Sequence, residues 1–524
     1  MYSYKMCGIF GQIKKIESTI SKNKKLKNDI FQRAIQCQHR GPDCTKDLFL
    51  TYKNYDLYFV FHRLAINGLD EKSNQPMTVD NCTLLCNGEI YNYKQLAQKY
   101  NIQLQTNSDC EIILHLYSLM GIQFIELLDG VFTFLLFDGE NGLVYVGHDP
   151  IGIRSGYMIQ NEGELIVASE MKSLVEYGDR KIEMIQPGSY IEYNLNTGNY
   201  YTNKYFYLDF PVNYTEDDKS ISMIQSILYK SVKKRLMSDK PIGCLLSGGI
   251  DSSIICSLVN EIGKEKNPSY KVNTFSIGLE NSPDILYAEK VALYLGTIHT
   301  TYIVTEKEML EAIEPTIKQI ESYDTTTVRA SVPMYLLSKK ISENTDIKVI
   351  LSGEGADELS GSYLYFHNAP SPLEFQRECI RLISDVQHFD VLRGDKTTAG
   401  HGLEIRVPFF DKEFVEEYMS IEPKLKVVRN NFEKYLLRKS FETKLPEDVV
   451  WRRKDGFSDG VSENKRPWYQ IINDYTHNKY YIKEDEYYQC VFKKYYGGRE
   501  YIVPYQWLPK WTDQMNPSNR LILN

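Results

Sequence analysis

The apolar run Cys244-Leu-Leu246 passes without a break into Ser247-Gly-Gly-Ile-Asp251-Ser-Ser253 and then into a helical pattern over about 252–262. A strand that turns through glycines straight into a helix is the opening unit of a parallel sheet. The segments that follow keep that rhythm: strand 273–278, helix 285–295, strand 299–303, helix 306–320 and strand 347–351. A second glycine loop, Leu351-Ser-Gly-Glu-Gly-Ala-Asp357-Glu358, ends the series. An open, mostly parallel sheet is expected from about residue 220, led in by a helix near 219–237. Both loops then emerge at its carboxyl edge.

The first two hundred residues read differently. Short apolar runs at 57–61, 83–86, 131–137 and 143–146 are punctuated by Asn-Gly, Asp-Gly and Gly-Asp pairs, which predicts a strand-rich domain with tight turns. Helical patterns intervene at about 28–37 and 109–120; in the second, Ile112, Ile113, Leu116 and Leu119 recur with helix period. Sheets with helices outside them are expected. The join falls in 205–220, around Pro211 and a run of Asp and Glu. A chain of 524 residues exceeds the ~250–300 at which one core stops growing, so two domains are expected, 7–205 and 206–524. The region after 470 reads as an irregular aromatic tail packed on the second domain.

The net charge of −8 leaves no basic face for general nucleic-acid binding, although a few local donors suffice to hold phosphates. No apolar run reaches ~18 residues and the N-terminus has no signal-peptide h-region, so no membrane association is expected. The ten cysteines read as core residues of a cytoplasmic protein; Cys82 and Cys86 have metal-like spacing, but no second pair answers them. The 40 tyrosines have no functional account.

The first glycine loop has the chemistry of a phosphate site. Gly248 and Gly249 accept unusual dihedrals, the next helix offers free N–H groups, and Ser247, Ser252 and Ser253 add hydroxyls. Asp251 repels a bare phosphate, and a Mg²⁺ between them removes the conflict. No Lys follows the glycines, so this is not the common nucleotide loop. The plain alternative is a strand-to-helix turn with an N-cap serine. Asp357 is placed to share the metal, and Glu354 to act beside the reacting centre. Lys454, in Arg452-Arg-Lys-Asp-Gly456, offers a charge for a developing phosphate anion. Arg393 and Lys396, beside Asp390 and Asp395, are ambiguous.

Cys7 directly follows Met6. Initiation at Met6 and removal of that residue would give Cys7 a free α-amine, pKa near ~8, able to take the proton of its own thiol. Asn87 and Gly88 offer a side-chain amide and a backbone N–H to an oxyanion, or else form a hairpin turn. Arg63 suits a carboxylate and Asp109 an ammonium.

At these residues the chain resembles the glutamine-hydrolysing asparagine synthetases, from Cys7 to about 520. The matching stretches are MCGIFG, Gln38-His-Arg-Gly-Pro-Asp43, CNGEIYN (86–92), ASEMK (168–172), LLSGGIDSS (245–253), LSGEGADEL (351–359), GLEIRVPFFD (402–411) and RRKDGFSDGV (452–461). The resemblance implies a four-layer αββα amidotransferase domain followed by an α/β domain with an open, mostly parallel sheet and a pyrophosphate loop. It implies that Cys7 attacks L-glutamine to give a glutamyl thioester and ammonia. Arg63 would then hold the glutamine carboxylate, Glu89 and Asp109 its amine, and Asn87 with Gly88 the oxyanion. L-aspartate and ATP would form β-aspartyl-AMP and pyrophosphate in the second domain. Ser247, Gly248, Gly249, Asp251, Ser252 and Ser253 form the pyrophosphate loop, Asp251 and Asp357 hold Mg²⁺, Glu354 positions ammonia or takes its proton, and Lys454 steadies the phosphates. Ile277, Ser352 and Gly353 match residues lining the adenosine pocket, and Leu245 a backbone contact to it. A homodimer is implied, and a closed apolar passage for ammonia is expected between the domains.

Three departures stand out: five residues precede Met6, His148 replaces the usual Arg, and Ser155-Gly156 replaces Pro-Leu. The rival readings are another amide-forming synthetase of this architecture, such as one that closes a β-lactam ring, a phosphoribosyl or sugar amidotransferase, and an inactive storage or scaffold protein.

Overall fold

The computed structural model describes residues 7–16, 24–453, 456–463, 465–513, 516 and 518. Its first part holds two six-stranded antiparallel sheets. One runs, edge to edge, Glu183–Met184, Tyr157–Asn161, Glu164–Ala168, Gly8–Lys15, Tyr55–Arg63, Cys44–Tyr52. The other runs Tyr200–Lys204, Ser189–Asn194, Leu143–His148, Gly130–Asp138, Cys82–Ile90, Met77–Val79. Strand period two sorts the side chains. Leu57, Phe59 and Phe61 join Ile9, Leu85, Leu135 and Val146 in the core between the sheets, while Tyr58 and Val60 face outward. Helix Lys24–Ala34 ends on that outer face through Ala34, and helix Glu111–Met120 covers the other sheet through Ile112, Ile113 and Leu116. The layers are thus helix, sheet, sheet, helix.

The second part is built on a five-stranded parallel sheet in the order Ile298–Ile303, Asn273–Gly278, Ile242–Leu245, Val349–Leu351, Glu404–Arg406. The chain adds strands to one side of Ile242–Leu245 and then crosses to the other. The order therefore reverses between Ile242–Leu245 and Val349–Leu351, and a crevice opens there at the carboxyl ends.

Several expected elements differ. Helix 28–37 is instead Lys24–Ala34 followed by a 3₁₀ turn, Ile35–Arg40. Leu119 is exposed, not part of the buried stripe. The single helix of 306–320 is two, Glu306–Glu311 and Ile313–Ile320, with Thr305 closing a capping box on the first. The region after 470 is not irregular: Trp468–Tyr480 and Glu484–Tyr496 are helices of 13 residues each. Their aromatic residues lower intrinsic helix preference, but Tyr487, Tyr488, Phe492 and Tyr496 are buried in the cluster that holds Ile313, Ile317 and Ile320. Tertiary burial decided the conformation there. No helix among the described residues is long and apolar enough to cross a membrane.

Candidate active sites

The first site forms where strand Cys82–Ile90 ends beside the chain's N-terminal strand. Cys7 is half-buried, and its sulfur accepts from Leu64 N–H at 3.3 Å. Burial pushes the thiol up to about 12, against the pull of the Leu64 hydrogen bond. Asn87 and Gly88 lie within the strand, facing Thr133 and Phe132, so the hairpin-turn reading is excluded. Gln75 holds this strand by its backbone: its Oε1 accepts from Cys86 N–H at 2.6 Å and its amide donates to Cys86 O at 3.2 Å. The Asn87 Nδ2 is buried and has no hydrogen-bond partner. A buried donor held unpaired costs stability, and it is what an oxyanion site requires.

Arg63 ends the neighbouring strand and turns into loop 64–74, donating to Asp70 O and Asn74 Oδ1 at 2.8 Å each and to Gly68 O. Asp109 accepts from Ile90 N–H at 2.6 Å, and burial pushes its carboxyl up to about 6. Glu89 accepts from Asn67 and lies 3.4 Å from Arg406, a residue of the parallel sheet. Burial, then Glu404 and Asp109, hold Glu89 well above the ordinary carboxylate range. These carboxyls crowd one another, and a cation among them relieves all of them.

The second site is the crevice of the parallel sheet. Leu245, Ser247, Gly249, Asp251, Ser252, Ile277, Ser352, Gly353, Glu354 and Asp357 all line one cavity. Gly248 and Ser253 do not. Gly248 makes the turn, with φ +73°, whereas Gly249 has an ordinary φ of −73° and caps the helix without a side-chain bond. Ser253 is fully buried and donates back to Gly249 O at 2.7 Å. No serine occupies the N-cap position, so the plain capped-turn reading fails. The second glycine loop approaches the first so closely that a Cβ on Gly353 would lie 2.6 Å from Ser252 N. That contact brings Asp251 and Asp357 to the same point.

Lys434 stands between them, its Nζ 2.5 Å from a carboxylate oxygen of each. It is nearly fully buried and adopts a left-handed φ of +57°, uncommon for a residue with a Cβ. The residues present suit a hard divalent cation: two carboxylates converge, and Asp251 Oδ1 is buried with no hydrogen-bond partner. Among the described residues no group of three or more His, Cys, Asp or Glu side chains that could hold a metal ion exists.

Glu354 pairs with Arg393 at 2.9 Å, and burial pushes its carboxyl up to about 7 although Arg393 pulls it down. The ambiguous Arg393 thereby enters the cavity wall, held also by Asp390 at 2.6 Å. Lys396 faces away, bonded to Glu321 and to Tyr157 OH at 2.5 Å. Lys454 lies outside the described residues, but Arg438, Arg452 and Arg453 line the same cavity. Sequence reasoning missed Lys434, Arg438, Arg406 and Glu404. Arg406 and Glu404 fall within one of the matching stretches, where charges inside an apolar run were the available signal.

Of the departures, His148 is buried with its ring nitrogens 2.9 Å from Ile185 O and 2.7 Å from Arg154 O. Ser155 Oγ lies 2.9 Å from both Ser169 O and Asp395 Oδ2 and has one proton to donate between these two acceptors.

Two family models match the chain. The family model described as asparagine synthase matches residues 223–374 and 369–498, and that described as glutamine amidotransferase domain matches residues 6–205. The glutamine-hydrolysing asparagine synthetases of Gallus gallus and Homo sapiens are each 40% identical over 539 aligned positions, covering 93% of this chain and 95% of theirs. That of Cricetulus griseus is 41% identical with the same coverage.

Proposed function

The chain belongs to the glutamine-hydrolysing asparagine synthetases, and on that premise we propose that it makes L-asparagine from L-aspartate, L-glutamine and ATP through the two sites described. Residues 7–205 form the glutaminase and 206–524 the synthetase.

In the first, Cys7 attacks the glutamine amide carbon, a thioester forms, and ammonia leaves; water then frees glutamate. A thiol with a pKa near 12 needs a base close by, and the free α-amine of Cys7, exposed once Met6 is removed, supplies it. Asn87 Nδ2 and Gly88 N–H take the oxyanion, Arg63 the glutamine carboxylate, and Glu89 with Asp109 its ammonium. The crowding of those two carboxyls supports the last assignment.

In the second, a carboxylate oxygen of aspartate attacks the α-phosphorus of ATP and pyrophosphate departs. The loop 247–253 and the arginines of the cavity hold the phosphates, with Lys454 a further candidate, while Leu245, Ile277, Ser352 and Gly353 border the adenosine. Asp251 and Asp357 would hold Mg²⁺, which supplies charge neutralisation to the phosphates; Lys434 keeps the two carboxylates together from the protein side. Ammonia attacks the acyl-adenylate and AMP leaves. Glu354, with its carboxyl near 7, is matched to accept the proton released in that step at neutral pH.

Ammonia has to cross where one apolar cluster joins Leu64, Ile66, Val131, Ile151 and Ile153 of the first half to Leu351, Ile405 and Val407 of the second. A homodimer and a cytoplasmic setting, in which the free thiol of Cys7 persists, complete the proposal.

The observation that carries this reading is the convergence of both glycine loops and Glu354 on one cavity. The test is isotopic: amide-labelled glutamine, ATP, Mg²⁺ and aspartate are incubated with protein whose first residue is confirmed as Cys7. Label in the amide of asparagine is expected. Asparagine made from free ammonia but never from glutamine would defeat the paired-site account.

A further inference from the structure

Helix Asp390–Ala399 lies between the two sites, and residues 391–399 are all buried. Its charged side chains are out of water, so each must be paired. Arg393 faces the second site through Glu354. Two residues on, about 200° around the helix axis, Asp395 points the other way. Its oxygens lie 3.0 and 3.1 Å from the Arg40 guanidinium, and it also receives Arg154 at 3.3 Å and the Ser155 hydroxyl at 2.9 Å. Arg40, itself fully buried, donates its Nε–H to the backbone carbonyl of Cys7 at 2.9 Å. Its Nη1 meets Glu170 at 3.0 Å. The orientation of the Cys7–Gly8 peptide sets where the thiol and α-amine of residue 7 point. One side of that peptide is thus held through an arginine with two counter-ions, Glu170 of the same half and Asp395 of the other half of the molecule.

We propose that Asp395 is a positioning residue for the nucleophile of the first site: through Arg40 it fixes Cys7, so that glutamine is hydrolysed at full rate only with helix Asp390–Ala399 docked. The proposal rests on the reading of Cys7 as nucleophile. Ser155 belongs to the same device, because its hydroxyl lies 2.9 Å from Asp395 Oδ2 and 2.9 Å from Ser169 O, the two acceptors that compete for its one proton, and Ser169 Oγ accepts from Ile9 N–H at 3.0 Å. The chemistry gives such a device a purpose. Ammonia released with the second half undocked is lost to water, whereas the helix that steadies Cys7 also carries the partner of Glu354.

The test compares Asp395→Asn with the parent protein in three assays: glutamine hydrolysis, ammonia-dependent asparagine synthesis and thermal unfolding. Displacing reacting groups by an ångström costs on the order of 10²-fold, so kcat for glutamine hydrolysis is expected to fall by about 10–100-fold. The KM for glutamine should stay within about twofold, because Arg63, Glu89 and Asp109 are untouched, and ammonia-dependent synthesis should hold to the same margin. Equal losses in both activities, a change confined to KM, or no change in kcat would overturn the proposal. If Asp395→Asn does not fold, Ser155→Ala decides: it keeps every charge and should lower the glutaminase kcat by about threefold with ammonia-dependent synthesis intact. An unchanged glutaminase kcat in Ser155→Ala would then overturn it. Cys7→Ala run alongside separates the two readings: if that variant still hydrolyses glutamine, the nucleophile assignment has failed; if it is inactive and Asp395→Asn behaves as the parent, only the positioning role has.

Discussion

The first site gathers carboxylates and the second gathers cations. Around Cys7, burial raises both Glu89 and Asp109, and repulsion adds to it, from Glu404 and Asp109 on Glu89 and from Glu404 on Asp109. Around Asp251 and Asp357, Lys434, Arg393, Arg438, Arg452 and Arg453 converge. In the first site the raised carboxyls are costly until an ammonium arrives. In the second, Lys434 already pairs with Asp251 and Asp357, Arg393 with Glu354, and Arg452 with Asp284, so phosphates would meet cations that carboxylates hold in place. The construction differs too. The first site draws on Gly8–Lys15 and Tyr55–Arg63 of one antiparallel sheet, Cys82–Ile90 of the other, loop 64–74, and Asp109 just ahead of helix Glu111–Met120. The second is the meeting of two glycine turns that only a parallel sheet with a reversed strand order brings side by side.

Four experiments would break or sharpen this contrast. The largest effect belongs to Cys7→Ala: glutamine hydrolysis should fall by on the order of 10⁴–10⁶, read as glutamate release, with ammonia-dependent synthesis within about twofold. If the sites are not separable in this way, both activities fall together. Next, Glu354→Gln should slow asparagine formation by about 10²–10⁴-fold from either nitrogen source while isotope exchange between pyrophosphate and ATP continues, since the base acts after adenylation. In the parent protein at constant free ammonia, the rate should rise as pH climbs through about 7, where Glu354 becomes ionised, and this inflection should vanish in the variant.

Asp251→Asn tests the cationic site from its other side. Both nitrogen sources should suffer by about 10²–10³-fold, with pyrophosphate release as the readout, because both require the adenylate. Full activity would remove Asp251 from the phosphate machinery.

The smallest effect is at Asp109. Asp109→Asn should raise the glutamine KM about tenfold, the loss of one charge-assisted hydrogen bond. Stability should move the opposite way. The folded pKa of Asp109, about 6, lies above its ordinary 3.8, so its contribution is fully present below pH 4 and lost as pH rises through 6. Asparagine at this position escapes that loss, and the variant should be more stable than the parent at pH 8 by up to about 3 kcal/mol, read as a higher unfolding temperature, but not at pH 3.5. A variant less stable at every pH would show that Asp109 is structural and that the carboxylate side of the contrast is misread.

Much of both sites was legible because their chemistry is local. A strand, two glycines, an aspartate and two serines in a row announce a phosphate turn, and the structure puts five of those loop neighbours on the cavity wall: Leu245, Ser247, Gly249, Asp251 and Ser252. Cys7, Asn87 and Gly88 stood out in the same way. The aromatic C-terminal helices were misread because periodicity and propensity describe a segment alone, while burial against Ile313, Ile317 and Ile320 decided their conformation.

The sequence by itself determined the strand rhythms, the two glycine turns and the place of Cys7 at the start of a strand, all of them consequences of backbone preference over a few residues. Only the tertiary structure decided which charges meet. Lys434 reaches Asp251 across 183 positions, and Arg40 reaches Asp395 across 355. Such partners are chosen by burial: once water is excluded, a charge must find its counter-ion wherever the folded chain has brought one, and no spacing in the sequence records that distance.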